Sequence, residues 1–215
     1  MDIHLFKRTI SSIIIIFLLL IILNLPNIFF YITLAGLFLI CAYEWKKLSN
    51  NNFILFLGWV FLLFSIFSTS EIKNLNNNNN LIYFLLVISI GTDLGGYFFG
   101  KFIGGPKLTS ISPNKTYAGV LGSLVLVSIL VFLYFNIFEL SVFKENNLTI
   151  EYYLLAIFLS FISQLGDLVI SYFKRKSGVK DTGNIIPGHG GFLDRVDGMI
   201  FVFPIFYLLQ FIINF

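Results

Sequence analysis

Charge is what this chain has least of. Only 12% of its 215 residues are Asp, Glu, Lys or Arg, against about one-quarter in an ordinary soluble domain. With 57% hydrophobic residues, 27 of them phenylalanine, and a mean hydropathy of +0.89, that shortfall excludes a water-soluble globule and implies a membrane protein. The single cysteine, Cys41, excludes a disulfide framework within the chain. No G-x-x-x-x-G-K-[ST] run occurs, so a P-loop is excluded. Internal repeats and a soluble domain are also missing. Lys7-Arg8 precedes an apolar stretch as in a signal peptide, but no small-residue cleavage site follows, so a retained anchor is expected. The run Asn76 to Asn80 reads as a low-complexity turn.

What the chain has is apolar length. Hydrophobic runs cover roughly 10–25, 28–43, 53–70, 81–100, 118–138, 152–173 and 199–215, and a span needs about 20 such residues. The expected fold is an all-α polytopic transmembrane helix bundle of about seven spans. The first two runs are short and parted by Asn24-Leu25-Pro26-Asn27, so they are two thin spans or one broken element. With a cytoplasmic N-terminus, Lys7, Arg8, Lys46, Lys47, Lys101, Lys107, Lys115, Lys174, Arg175, Lys176, Lys180 and Arg195 fall inside. That is 12 of the 14 basic residues, with only Lys73 and Lys144 outside. The positive-inside rule favours this arrangement, with an external C-terminus.

Two acids interrupt the apolar runs: Asp93 in ISIGTDLGGYFFG and Asp167 in ISQLGDLVISYFKRK. Each costs roughly 2.5–3.5 kcal/mol at a helix centre. Lys101 follows Asp93 by eight residues and Lys174 follows Asp167 by seven. At 1.5 Å per residue both carboxylates lie roughly 10–12 Å below the cytoplasmic edge. Two acids at one depth on different helices suggest a shared polar pocket open to that side. Helix-packing hydrogen bonds are the plainer explanation, but Gln or Ser would make them more cheaply. Asp167, Ser171, Lys174 and Arg175 share one helix face, an arrangement able to hold a metal and a phosphate together. Lys174-Arg175-Lys176 also serves as a topogenic cluster.

Two loops carry the remaining polarity. GKFIGGPKLTSISPNKTYAG places Lys107, Ser112, Lys115 and Thr116 ahead of a helix, where amides, hydroxyls and lysines form a phosphate cradle. KRKSGVKDTGNIIPGHGGFLDRVDG holds five basic residues, three aspartates, one histidine and six glycines. Asp194 and Asp197, three apart, suit an oxygen-loving cation such as Mg²⁺. His189 stands between glycines close before them and is expected to face a ligand. Helix capping explains either acid singly but not the whole cluster.

Taken together, Ser171-x-x-Lys174-Arg175, four residues, Lys180-Asp181-x-Gly183, then Ile186-Pro187-x-His189-Gly190-Gly191-Phe192-x-Asp194-Arg195-Val196-Asp197 resembles the signature of the phosphatidate cytidylyltransferases, or CDP-diacylglycerol synthases. Every fixed position is filled. SPNKTYAG and DLGGYFFGK look like this family too. The resemblance runs from about Leu81 to Phe215. Residues 1–80 match only as N-terminal membrane helices, so the chain looks like a short version whose catalytic membrane region is 81–215, within one integral membrane unit.

The resemblance implies a reaction of CTP with phosphatidic acid to give CDP-diacylglycerol and pyrophosphate, dependent on Mg²⁺, with room for a second cation. It implies metal ligation by Asp167 and Asp197, and catalytic work by these with Asp194, Lys174 and Arg175. Lys107, Ser112, Lys115, Thr116, Ser171, Lys180, His189, Arg195 and Asp93 are the expected substrate-binding residues. Asp93 and Asp194 are expected to act as neighbours of the metal ligands, directly or through bound water. The expected setting is a bacterial inner membrane, with the site facing the cytoplasm and membrane lipids around it. Nucleic acid is not an expected partner, and a homodimer is left open. The aspartate pattern of the CDP-alcohol phosphotransferases, D-G-x-x-A-R with G-x-x-x-D-x-x-x-D, is missing. A CTP-dependent polyprenol kinase is harder to exclude by composition. A transporter should be polar towards both faces, and here polarity crowds at one.

Overall fold

A computed structural model describes residues 21–75, 79–138, 149–186 and 190–213. The helices are α1 (Asn27–Leu48), α2 (Asn52–Leu75), α3 (Asn80–Phe102), α4 (Tyr117–Phe138), α5 (Thr149–Lys176), α6 (Leu193–Val196) and α7 (Met199–Ile213). Among the described residues there is no strand, only two isolated bridges, Lys107 with Thr116 and Ile186 with Gly190. This is the all-α architecture expected of apolar runs, because in lipid each backbone N–H and C=O must be paired within its own helix. The first five helices are long and apolar enough to cross a membrane.

The outer runs differ from the middle ones. α7 has 15 residues and contains Pro204, which removes one backbone donor from the helix. The first apolar run lies outside the described residues except at its end, where residues 21–24 are helical. The chain then breaks at Pro26, in an extended conformation (φ −51°, ψ 146°), and α1 follows. The polar interruption at 24–27 is therefore a real break between helices. Asn51 starts α2 by accepting the Phe53 N–H at 2.8 Å through its side chain.

α3 and α4 make the most extensive helix contact in the molecule. Small residues permit it: a Cβ added at Gly95 would stand 2.6 Å from the Ser123 Cα. Small-residue faces of this kind let membrane helices approach closely. α5 packs on α3 and α4, while α2 packs on α1 and α7. Contact between α5 and α7 joins the two groups. Hydroxyl and amide pairs bind helices across this interior: Thr92 donates to Ser160 at 2.8 Å and Gln164 to Ser123 at 2.7 Å.

The core has two parts. Phe84, Leu85, Ile88, Val127, Leu159 and Phe206 anchor the larger one. Cys41, Trp45, Leu48, Ile170, Leu193 and Ile200 form a second one. Outward surfaces stay apolar, with Phe102 80% and Leu39 67% exposed, as suits contact with acyl chains.

Candidate active site

Five residues place the centre of the site. Asp93 on α3 and Asp167 on α5 line one cavity of about 360 Å³ together with Lys115, Lys174 and Asp197. Lys115, two residues before α4, reaches the Asp167 carboxylate at 2.5 Å and the Gln164 carbonyl at 3.3 Å. Ser171, one turn on from Asp167, donates to it at 3.2 Å. The intramembrane charge expected from the sequence is therefore compensated by an ammonium and a hydroxyl, as a half-buried carboxylate requires.

Asp197 comes to Asp167 through the α5–α7 seam. A Cβ on Gly166 would lie 2.8 Å from the Asp197 carbonyl, and one on Gly198 would lie 2.2 Å from the Ser163 hydroxyl. Only glycine at these positions lets the two backbones approach so closely. The Asp197 and Asp167 carboxyls then line the same cavity, close enough to shift one another. Burial, reinforced by Asp167 and Asp93, pushes the Asp197 carboxyl well above the usual carboxylate range. Two like charges in one dry place favour a shared proton or a shared cation.

Asp194 does something different. Its Oδ1 accepts Lys174 at 2.7 Å. Its Oδ2 accepts the Thr182 N–H at 2.8 Å, the Thr182 hydroxyl at 3.0 Å and the Gly191 N–H at 3.0 Å. The two acids expected to work as a pair thus divide: Asp197 turns to α5, while Asp194 ties down the loop and orients Lys174. The cause is local, since α6 is a single four-residue turn and Asp197 stands at its C-terminal cap.

The remaining expected residues sort by position. Ser112, Thr116, Arg195 and Asp194 line the cavity with those above. Thr116 also accepts the Gly119 N–H at 3.1 Å, capping α4. Lys107 and Lys180 are exposed and off the cavity wall. Arg175 is not brought to the wall either. It donates to the Ile111 carbonyl at 3.3 Å and the Val179 carbonyl at 3.2 Å, fastening the two polar loops. At 3.6 residues per turn, position i+8 points roughly 80° away from Asp167, while Lys174 at i+7 stays close to its line. His189 lies outside the described residues. Thr92, Tyr97, Asn114, Gln164 and Asp181 line the cavity as well. Asn114 and Asp181 stand within the sequence motifs without an assigned role, and Thr92, Tyr97 and Gln164 escaped the sequence reading because single polar residues in apolar helices carry no pattern. Glu44 escaped it too. It directly follows the second apolar run, next to Trp45, Lys46 and Lys47, where it reads as the end of a span.

Among the described residues no three His, Cys, Asp or Glu side chains converge into a ready metal cage. What exists is a carboxyl pair, with Asp93 beside it. Mg²⁺ keeps several waters and takes one or two carboxylates plus phosphate oxygens, so the pair suits that ion, and the mutual repulsion of the two acids is what a cation would relieve.

Residues 51–213 match the model of the cytidylyltransferase family. The chain is 47% identical over 144 residues to the phosphatidate cytidylyltransferase of Bacillus subtilis (strain 168), over 65% of this chain and 51% of that protein. It is 38% identical over 187 residues to the protein of that name from Staphylococcus aureus (strain COL), over 82% and 67%. With the Haemophilus influenzae protein of that name the figures are 37% over 134 residues, 62% and 46%. The chain spans about half the length of the Bacillus and Haemophilus relatives.

Proposed function

The chain belongs to the cytidylyltransferase family, and from that premise we propose that it transfers the cytidylyl group of CTP to phosphatidic acid, giving CDP-diacylglycerol and pyrophosphate. The relatives' printed name supports the substrates. The observation that carries the reading is the cavity itself: five aspartates and two lysines from α3, α5 and the two polar loops meet in one space, within a bundle whose outer surface is apolar.

In the reaction a phosphate oxygen of phosphatidate attacks the α-phosphorus of CTP. The bond from that phosphorus to the bridging oxygen breaks, and pyrophosphate leaves with the electron pair. Such transfer needs positioning and neutralisation of charge more than covalent help. Lys115 and Lys174 supply positive charge on the cavity wall. Ser112, Thr116 and the backbone before α4 offer hydrogen bonds to phosphate oxygens. Asp167 and Asp197 would hold Mg²⁺, which when bound supplies Lewis-acid stabilisation of the reacting phosphates. Asp194 keeps Lys174 in place, and Asp93 adds a third acid beside the pair. Lys107, Lys180 and Arg195 raise the positive potential around the mouth, where a polyanionic nucleotide arrives.

The topology belongs to the same proposal: seven spans, a cytoplasmic N-terminus, and the cavity facing the cytoplasm of a bacterial inner membrane. The lipid then approaches from the bilayer and the nucleotide from water. The test is direct. Purified chain in mixed micelles should convert labelled CTP and phosphatidate into liponucleotide and pyrophosphate in equal amounts. Transfer of the γ-phosphate to a polyprenol, with no liponucleotide, would replace this reading by a lipid kinase.

A further inference from the structure

Glu44 lies outside every motif of the sequence, yet it is 0% exposed. It comes from α1 and reaches residues 138 to 149 positions further along the chain. Its Oε1 accepts the Phe192 N–H at 3.0 Å. Its Oε2 accepts the Leu193 N–H at 2.7 Å and stands 3.1 Å from the Thr182 hydroxyl, whose one proton lies between Glu44 and Asp194. The walls of this socket are glycine. A Cβ at Gly183 would stand 2.6 Å from Oε1, and one at Gly191 would stand 2.7 Å from Oε2. Two glycines of the polar loop are thus accounted for by the carboxylate they enclose.

From this geometry we propose that Glu44 is a positioning residue for the cavity, acting through Thr182 and the segment 191–194 on Lys174. The connection is continuous. The Thr182 hydroxyl that meets Glu44 also lies 3.0 Å from Asp194 Oδ2. The other oxygen of Asp194 holds the Lys174 ammonium at 2.7 Å, and Lys174 lines the cavity. A carboxylate without water is held by its donors, and those donors are held by it. Glu44 therefore fixes Thr182 and the start of α6, and Asp194 passes that setting to Lys174. Glu44 does not itself line the cavity. The family model matches from residue 51 onward, so the match reaches further towards the N-terminus than Leu81, and α1, which lies ahead of it, contributes the brace.

The inference rests on the proposed reaction for its activity readout only, and amide hydrogen exchange supplies a second readout. The full chain is compared with Glu44→Gln, Thr182→Val, Thr182→Ser and the double variant Glu44→Gln/Thr182→Val. In Glu44→Gln and Thr182→Val, exchange of the 190–194 amides should rise about tenfold or more, the size expected for losing charge-assisted hydrogen bonds. The kcat/KM for CTP should fall about tenfold or more in each, and the double variant should be no worse than the weaker single, since both act through Asp194. Thr182→Ser, which keeps the hydroxyl, should stay near the parent in both readouts. Unchanged exchange in a folded variant, or losses that multiply in the double variant, overturns the proposal. If Glu44→Gln does not fold, Thr182→Val decides: raised exchange with reduced kcat/KM supports the brace, and unchanged exchange ends it. A parent chain that forms no liponucleotide defeats the proposed reaction, while the exchange comparison still judges the brace.

Discussion

Asp167 sits in a helix where a lone charge costs roughly 2.5–3.5 kcal/mol, and its neighbours explain its presence. Lys115 at 2.5 Å and Ser171 at 3.2 Å satisfy it from one side, while Asp197 meets it from the other. A packing residue has no need of a second acid. Replacing Asp167 or Asp197 by Asn keeps the shape and removes a charge. Either variant should insert and fold yet lose nearly all turnover, and chelation should abolish the activity of the parent, with added Mg²⁺ restoring it. Near-normal, Mg²⁺-dependent rates in Asp167→Asn would return that residue to a packing role. Lys115 makes a separate case, because it serves both Asp167 and the proposed phosphate site. Lys115→Ala should lower kcat/KM for CTP by about tenfold or more, with the melting temperature changing little, since the pair is only partly buried and such pairs contribute modestly. An unaltered CTP dependence would remove this lysine from the substrate site.

At the scale of elements, the site depends on how closely α5 and α7 approach. Gly166 and Gly198 are the contact points, and each neighbours an acid of the pair. In Gly166→Ala the new Cβ meets the Asp197 carbonyl, which cannot rotate away as a side chain does. Overpacking of this kind costs about 1–3 kcal/mol, and here the strain falls on the residue that faces Asp167. Gly166→Ala should therefore lose most of its turnover while still inserting. Gly36 on α1 is the control, because a Cβ there meets nothing within 4 Å. Gly36→Ala should leave both activity and thermal stability unchanged or slightly improved. Equal loss in the two variants, measured by turnover and melting of detergent-purified protein, would detach the seam from the chemistry. Arg175 belongs to this scale as well. By reaching the Ile111 and Val179 carbonyls it joins the two polar loops over the cavity, where the sequence reading had set it among the catalytic groups.

For the whole molecule the governing feature is asymmetry. In the proposed topology the lysines and arginines gather at the end where α3 and α5 finish, and the larger apolar core fills the other end. Charge placed this way orients a membrane protein and brings a soluble anionic nucleotide to the side where the cavity lies. A reporter fused after Phe215 should therefore read as external, and one placed in the loop 103–116 as cytoplasmic. A cytoplasmic reading after Phe215 would remove the seven-span arrangement, with its short, proline-containing last helix as the first element to reconsider.

The sequence by itself determined the fold class and the family. Runs of about 20 apolar residues can form only helices in lipid. An acid inside such a run advertises itself by its cost, so Asp93 and Asp167 were legible before any fold was known. The charged, ordered spacing of the polar loop made the family legible too. Tertiary structure decided what each acid meets. Asp194 and Asp197 are equivalent in sequence, three residues apart, but the single turn of α6 points one at the loop and Lys174 and the other at Asp167. It also decided that Arg175 braces while Lys174 faces the cavity, through a difference of one helical position. Above all it decided the place of Glu44, because hydrogen bonds joining residues nearly 150 positions apart leave no local pattern. They arise only when α1 packs beside the loop and the glycines there make room for a carboxylate.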